Sequence, residues 1–375
     1  MIKPENNRNK KVAVAMSGGV DSSVAAAIMV EKGYDVVGLT MQLYDSGSSI
    51  KSGVKSCCAG QDIYDAKRVS DKLGIPHYVL DYEKQFLNDV IQDFADSYAS
   101  GKTPIPCIRC NQRMKFRDLL SMSIDLGAET LVTGHYAVIK SYENNISLYR
   151  SKDMSKDQSY FLFATPKNIL KQLNFPLGYM NKSLTREYAK KIGLSISDKP
   201  ESQDICFVQS TAKKSYRQIV QKLRPDVTKS GEIKSINGET LGSHNGIDGF
   251  TVGQRRGLGI ISGDGSPLYV VRIDSKNNLI YVGKEEDLSI SSFDISEFLW
   301  LGDDLLLIGD TVVADVQLSS EYEIQKAKIT LLDSDRAKIN LFEPNFRVAP
   351  GQACVIYEND RVLGGGWISE NLSVK

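Results

Sequence analysis

Residues 11–32, KVAVAMSGGVDSSVAAAIMVEK, decide the fold. The run 11–16 (KVAVAM) is short and apolar, as a buried strand is, and 22–32 is an Ala-rich stretch of helical character. Between them stands Ser17-Gly18-Gly19-Val20-Asp21-Ser22. Its glycines let the backbone turn tightly and approach a ligand closely. The helix that follows turns unpaired N–H groups and a partial positive charge toward an anion. Ser17 and Ser22 add hydroxyl donors. The same residues also fit a plain strand-to-helix turn capped by Ser and Asp. The loop is not a Walker A motif, because G-x-x-x-x-G-K-[ST] is absent.

Working outward, 34–44 (YDVVGLTMQLY) reads as a second buried strand, 61–73 as a helix and 77–82 (HYVLDY) as a third strand. Helices are predicted over 85–99 and 111–126, separated by a Pro-rich loop, and 130–137 (TLVTGHYA) closes the pattern as a strand. Strands alternating with helices of this length predict an α/β domain with a parallel sheet covered on both faces. After about residue 210 the character changes. Residues 229–249 are dense in Gly, Asn and Ser, while 269–272 and 279–282 predict a β-hairpin. Short strands are expected over 311–317, 325–331, 337–342, 352–357 and 361–367, the pattern of a small β-barrel or sandwich.

Composition sets the class. The chain has 375 residues, 41% hydrophobic and 25% charged, enough for two or three domains with a substantial core. Lys+Arg and Asp+Glu each count 46, so no global charge drives it to nucleic acid, although a local basic groove is compatible with that balance. No apolar run approaches the roughly 20 residues of a membrane helix. The polar start does not read as a secretory signal. A cytoplasmic protein is expected.

The cysteines are Cys57, Cys58, Cys107, Cys110, Cys206 and Cys354. In a cytosolic chain they are expected as thiols, metal ligands or catalytic groups. The pair Cys57-Cys58 with the C-x-x-C of Cys107 and Cys110 fits a structural zinc site, a redox pair or small buried residues. Another pairing joins Cys110, placed by the predicted helix at its start, to the distant Cys206. There the helix dipole with Arg109 and Arg113 is expected to favour a thiolate. His77, His135 and His244 are the only imidazoles, too few for a His-rich metal site.

The glycine turn resembles the SGG-x-DS signature of the PP-loop, or N-type ATP pyrophosphatase, superfamily. Seven segments together resemble one family within it, the bacterial tRNA-specific 2-thiouridylases. They are 16–23 (MSGGVDSS), 103–116 (TPIPCIRCNQRMKF), 133–137 (TGHYA), 156–163 (KDQSYFLF), 202–207 (SQDICF), 249–259 (GFTVGQRRGLG) and 364–368 (GGGWI). The resemblance runs over nearly the whole chain. It implies a nucleotide hydrolase-like parallel-sheet domain over 1–215 that binds ATP, a small mixed central domain over 216–288 that contacts tRNA, and a C-terminal β-barrel over 289–375.

The resemblance also assigns residues. Ala15, Met16, Ser17, Gly18, Gly19, Val20, Asp21, Ser22, Met41 and Gly134 would bind ATP. Cys110 matches the nucleophile and Cys206 the persulfide carrier. Ile105, Pro106 and Cys107 match positions beside the target base, and Lys156, Asp157 and Gln158 match a tRNA-contacting segment. Arg255 and Arg256 are candidate phosphate contacts, because Arg pairs bidentately with phosphate; a glycine-rich turn with solvated arginines fits equally. The implied reaction is adenylylation of the C2 oxygen of the wobble uridine of tRNAs for Lys, Glu and Gln, followed by sulfur transfer. Mg²⁺ is expected with the nucleotide. The expected partners are the tRNA anticodon arm and a sulfur-relay or cysteine-desulfurase protein, met by a monomer with no membrane association.

Two departures stand out. The family often carries Asp where this chain has Cys107, and a basic, aromatic cluster where it has 317–322 (QLSSEY). Other PP-loop enzymes, such as lysidine synthetase-like, argininosuccinate-synthase-like or amidotransferase-type ligases, need the loop but not the two cysteines. A non-catalytic nucleotide- and RNA-binding module would need neither pyrophosphate release nor thiols.

Overall fold

The computed structural model describes residues 7, 9–43, 59–143, 145–201, 205–208, 215–260, 262–263, 265–320 and 324–374. Cys57, Cys58 and residues 202–204 lie outside the described residues. The chain divides into two compact units, one drawn from 1–90, 107–211 and 360–362 and the other from 91–106, 212–359 and 363–375.

The first unit is built on β1 (Lys11–Ala15), β2 (Asp35–Gln42), β3 (His77–Asp81), β4 (Thr130–Val132) and β7 (Leu173–Asn174), a parallel sheet in the order β3-β2-β1-β4-β7. An antiparallel hairpin pairs β5 (Val138–Tyr142) with β6 (Asn145–Tyr149). The helices of this region are α1 (Val20–Glu31), α2 (Ala59–Leu73), α3 (residues 83–99), α4 (residues 106–125) and α5 (Lys182–Lys191). Strand β1 is buried on both faces: Val12 and Val14, on one face, pack with Val24, Ala25 and Met29 of α1 and with Ala66 and Val69 of α2, and Ala13, on the other, is fully buried.

Strand order reverses between β1 and β4, whose neighbours lie on opposite sides. In such sheets the carboxyl ends of the strands at the reversal open a crevice for ligands. The turn after β1 and residues Thr133 and Gly134 after β4 occupy that place.

Helices α3 and α4 both contain π-helical stretches, Leu87–Ile91 and Cys110–Leu119. Periodicity finds each helix but not this feature. It also sets the start of α4 too late: the helix begins at Pro106, a residue whose fixed φ suits a first turn.

The second unit holds α6 (Ser215–Leu223) and a four-stranded sheet of β8 (Ser230–Ser235), β9 (Thr240–Asn245), β10 (Tyr269–Asp274) and β11 (Leu279–Gly283), in the order β10-β11-β8-β9. The predicted hairpin is β10–β11. Fully buried Asp248 accepts hydrogen bonds from Arg217 Nε at 3.1 Å and Gln221 Nε2 at 2.8 Å, tying α6 to the loop after β9.

The remaining strands are β12 (Ile290–Trp300), β13 (Thr311–Gln317), β14 (Gln325–Leu331), β15 (Ala337–Asn345), β16 (Ala353–Glu358) and β17 (Arg361–Val374). They run β12-β15-β14-β13-β16-β17, and pairing of β12 with β17 closes a six-stranded barrel. The first barrel strand, β12, was absent from the expected set. Its inward residues Phe293 and Ile295 pack with Val316, Ile329, Ile339 and Ile356. Phe293 is 1% exposed. Phe293→Ala is expected to destabilise the barrel by about 3–5 kcal/mol, read as a lowered denaturant midpoint in equilibrium unfolding.

Candidate active site

Backbone geometry makes the glycine turn. Gly18 has φ +71°, and a Cβ there would lie 2.2 Å from the carbonyl oxygen of Asp62 at the start of α2. No side chain fits that approach. Gly134 sits equally close to the first turn of α1, where a Cβ would fall 2.7 Å from Asp21 C and Ser22 N. Ser22 Oγ accepts from Ser17 N at 3.1 Å, and Ser23 Oγ donates to Gly19 O at 2.8 Å. Ser17 is exposed while Met16, Gly18, Val20 and Ser22 are buried, and Ala15, Gly19, Asp21 and Met41 are half-buried. The loop and Gly134 therefore meet at the sheet's reversal point, with Met41 on the adjoining β2.

Ion pairs that periodicity does not reveal surround the loop. Lys199 Nζ donates to Gly18 O at 3.0 Å and to Asp62 Oδ1 and Asp65 Oδ2 at 2.6 Å each. Lys182 Nζ, on α5, bonds Asp21 Oδ1 at 2.7 Å and Oδ2 at 2.8 Å. Tyr136 Oη lies 2.9 Å from Asp21 Oδ1 and from Thr185 Oγ1. Glu201 gathers Lys156 Nζ at 2.7 Å, Lys182 Nζ at 3.4 Å and Arg186 Nη2 at 3.9 Å. Lys199 and Glu201 directly precede the SQDICF segment, which was a usable signal. Nothing in the sequence marks Lys182, because its partner lies 161 residues away.

The segment 156–158 is knitted into the same unit. Asp157 accepts from Ser151 N at 2.9 Å and Ser159 Oγ at 2.7 Å, and Gln158 Oε1 accepts from Tyr136 N at 3.0 Å. Asp157 and Gln158 thus hold the turn that presents the half-exposed Lys156. Arg255 and Arg256 are exposed in the second unit, without a carboxylate partner among the described residues.

Three thiols gather in the first unit. Cys107 and Cys206 are exposed, Cys110 is half-buried, and none of the three is in a disulfide. Charge on Cys206 acts on both Cys107 and Cys110, so the segment 205–208 approaches the first turns of α4. Phe207, buried beside Cys206, packs edge-on against Phe86 of α3 with ring centroids 5.9 Å apart, which anchors that segment. Half-buried Ile105 and buried Pro106 lead into α4.

The expectation of a helix-activated thiolate is corrected by this geometry. Because α4 starts at Pro106, Cys110 lies beyond its first turn, where the dipole effect fades. Arg109 bonds Gln112 at 3.1 Å and Arg113 bonds Asp89 O at 2.8 Å. Burial pushes the Cys110 thiol up to about 12, opposed by Lys115 and reinforced by Cys206 and Cys107. Desolvation by the surrounding protein also raises Cys107, although that residue keeps an exposed side. Cys354 is fully buried in the barrel core. Among the described residues no group of three or more His, Cys, Asp or Glu could hold a metal ion.

Comparison with known proteins follows the same division. Residues 10–210 match the family model described as tRNA methyl transferase HUP domain. Residues 217–284 match the tRNA methyl transferase PRC-barrel domain, and 290–368 the aminomethyltransferase beta-barrel domain. Relatives named tRNA-specific 2-thiouridylase MnmA from Rickettsia bellii and Rickettsia felis are 50% and 49% identical over 98% of this chain and 98% of theirs. The Rickettsia prowazekii protein of that name is 50% identical over 96% of this chain and 99% of its own.

Burial raises the Asp65 pKa, but hydrogen bonds from Lys199 and Gln61 outweigh it and leave the pKa below the ordinary 3.8. A lowered carboxylate contributes stability that is whole above its unfolded pKa and lost as pH falls through the folded one. Lys199→Met is expected to cost on the order of 2 kcal/mol at pH 7, less than the ~3–5 kcal/mol for breaking a fully buried pair, because this lysine is 27% exposed. The deficit should shrink below about pH 4, where protonated carboxyls no longer need the cation. Urea unfolding at both pH values measures it.

Proposed function

The chain belongs to the tRNA-specific 2-thiouridylase family, and from that premise we propose that it exchanges the C2 oxygen of the wobble uridine (U34) for sulfur in tRNAs for Lys, Glu and Gln. The observation that carries the reading is the pairing, within one unit, of a glycine turn at the sheet's reversal point with two thiols from distant segments, neither in a disulfide and one close enough to raise the pKa of the other. A turn suited to phosphates supports activation by ATP. Two thiols whose ionisation is coupled support sulfur transfer. Methyl transfer, the wording of two domain descriptions, has no need of the second thiol.

In the proposed reaction the uridine C2 oxygen attacks the α-phosphate of ATP and pyrophosphate leaves. A sulfur-relay or cysteine-desulfurase protein has loaded Cys206 as a persulfide. Its terminal sulfur attacks C2 and AMP departs with the oxygen. The Cys110 thiolate then attacks Cys206 Sγ. The S–S bond to the transferred sulfur breaks, its electron pair stays on that sulfur as the 2-thiouridine, and Cys110 and Cys206 are left as a disulfide. A reductant must reopen that disulfide before the next cycle.

Ala15, Met16, Ser17, Gly18, Gly19, Val20, Asp21, Ser22, Met41 and Gly134 form the proposed nucleotide site. Ile105, Pro106, Cys107, Lys156, Asp157, Gln158, Arg255 and Arg256 are the proposed tRNA contacts, and the anticodon arm is the part of tRNA engaged. Mg²⁺ would travel with the nucleotide phosphates, and no step is assigned to it. The proposed working form is a cytoplasmic monomer, with 1–215 catalytic and 216–288 and 289–375 as accessory domains. Among the described residues no helix is long and apolar enough to cross a membrane.

Nucleoside mass analysis tests this after incubation of unmodified tRNA with ATP, Mg²⁺ and a persulfide donor. One sulfur-for-oxygen exchange at the wobble uridine is expected. Cys110→Ser and Cys206→Ser should each abolish it while pyrophosphate release persists. Retained thiolation in either variant would sink the two-thiol mechanism and leave another PP-loop ligase as the better reading.

A further inference from the structure

Lysines Lys156, Lys182 and Lys199 in the first unit are each held by carboxylates at 2.6–2.8 Å. Lys115 is different. Among the described residues its ammonium has no carboxylate partner, and it donates to Asn111 Oδ1 at 2.9 Å. Asn111 is itself fixed: it is 3% exposed, and its Nδ2 donates to Phe161 O at 3.1 Å. A half-buried cation is thus held in place by a neutral, anchored amide and keeps its charge for something else.

Helix geometry says what that is. In an α-helix, at about 100° per residue, Lys115 would stand about 140° around the axis from Cys110. From Cys110 to Leu119 the helix is π, with i→i+5 hydrogen bonds and a wider turn. Five residues then make close to one full turn, so residues 110, 111 and 115 share a face. The other cations of this stretch are turned elsewhere: Arg113 to Asp89 O, and Arg117 to Asp89 and Asp118. On α3, Glu83 accepts from Gln42 at 2.6 Å. The segment Ser159–Leu162, which also packs on this helix, carries no charged side chain. Cys107 and Cys206 only oppose ionisation of Cys110, and His135, held at Nδ1 by Thr133 Oγ1 at 2.7 Å, is kept neutral by burial and by Lys115.

We propose that Lys115 is the positioning residue for the Cys110 thiolate, brought to it by the π-helical turn. Lys115 serves as counter-charge, not as base. A thiol removed from water resists ionisation, and a fixed neighbouring ammonium lowers that barrier without adding a group that competes for sulfur. The charge of Lys115 opposes the effect of burial at both Cys110 and Cys107. The proposal deepens the assignment of Cys110 as nucleophile and rests on it.

The test uses the full chain without tRNA or ATP. Iodoacetamide alkylation of the Cys110 peptide is followed by mass spectrometry from pH 7 to pH 10, with thermal melting as a folding control. Lys115→Met is expected to alkylate about tenfold more slowly at each pH, an upward shift of about one pKa unit. Lys115→Gln, which can still donate to Asn111, should behave like Met, and Lys115→Arg should stay within about twofold of wild type. Superimposable profiles for wild type and a folded Met or Gln variant would overturn the proposal. Equal slowing by Arg would overturn it too, since packing and not charge would then be responsible. Failure of the wild-type chain to thiolate tRNA would sink the proposed reaction and leave this profile unaffected.

Discussion

Gly18 and the start of α2 approach so closely that only backbone fits between them, and the Lys199 ammonium fastens the contact by bonding Gly18 O, Asp62 and Asp65 together. An anion-binding turn needs its N–H groups pre-aimed, since ordering them at the moment of binding would consume affinity. The loop's own hydroxyls help by closing on loop atoms. The lysine also answers an electrostatic problem. Asp21, Asp62 and Asp65 are carboxylates beside the proposed phosphate site, and without Lys182 and Lys199 they would repel an anion there.

The second half of the site solves the opposite problem. A sulfur nucleophile must be shielded from water and unwanted partners, yet shielding suppresses the reactive form. Burial holds the Cys110 thiol neutral. The π-helical stretch is a local departure from the best backbone hydrogen bonding, of a kind that recurs at functional sites. Here it changes which side chains share a face. Glu201 links the two halves, since it pairs with Lys182 beside the phosphate turn and stands five residues before Cys206.

Much of this was legible in the chain before any coordinates. Apolar runs of strand length separated by helical stretches identify the parallel sheet, because both of its faces are buried and its strands need no alternation. The barrel strands β13 and β14 coincide with their predicted limits, since period-two patterning and turn residues mark them locally. Strand β12 and helix α5 were missed: the first mixes serines and acids with its core residues, and the second is almost wholly charged on its outer face. The start of α4 was misplaced by five residues, and with it the expected character of Cys110.

The sequence by itself determined the glycine turn, the residues able to carry phosphate and sulfur chemistry, and the succession of a parallel sheet, a small mixed sheet and a closed barrel, because these rest on local patterning and short motifs. Only the tertiary structure decided which charges meet. That Lys182 reaches Asp21, that Lys199 spans the turn and α2, and that Cys110 is a half-buried thiol on the face of Lys115, a cation with no carboxylate partner among the described residues, all depend on contacts between distant segments and on a helix's hydrogen-bond register. Desolvation and Coulomb interactions are set by position in space, and no one-dimensional pattern encodes them.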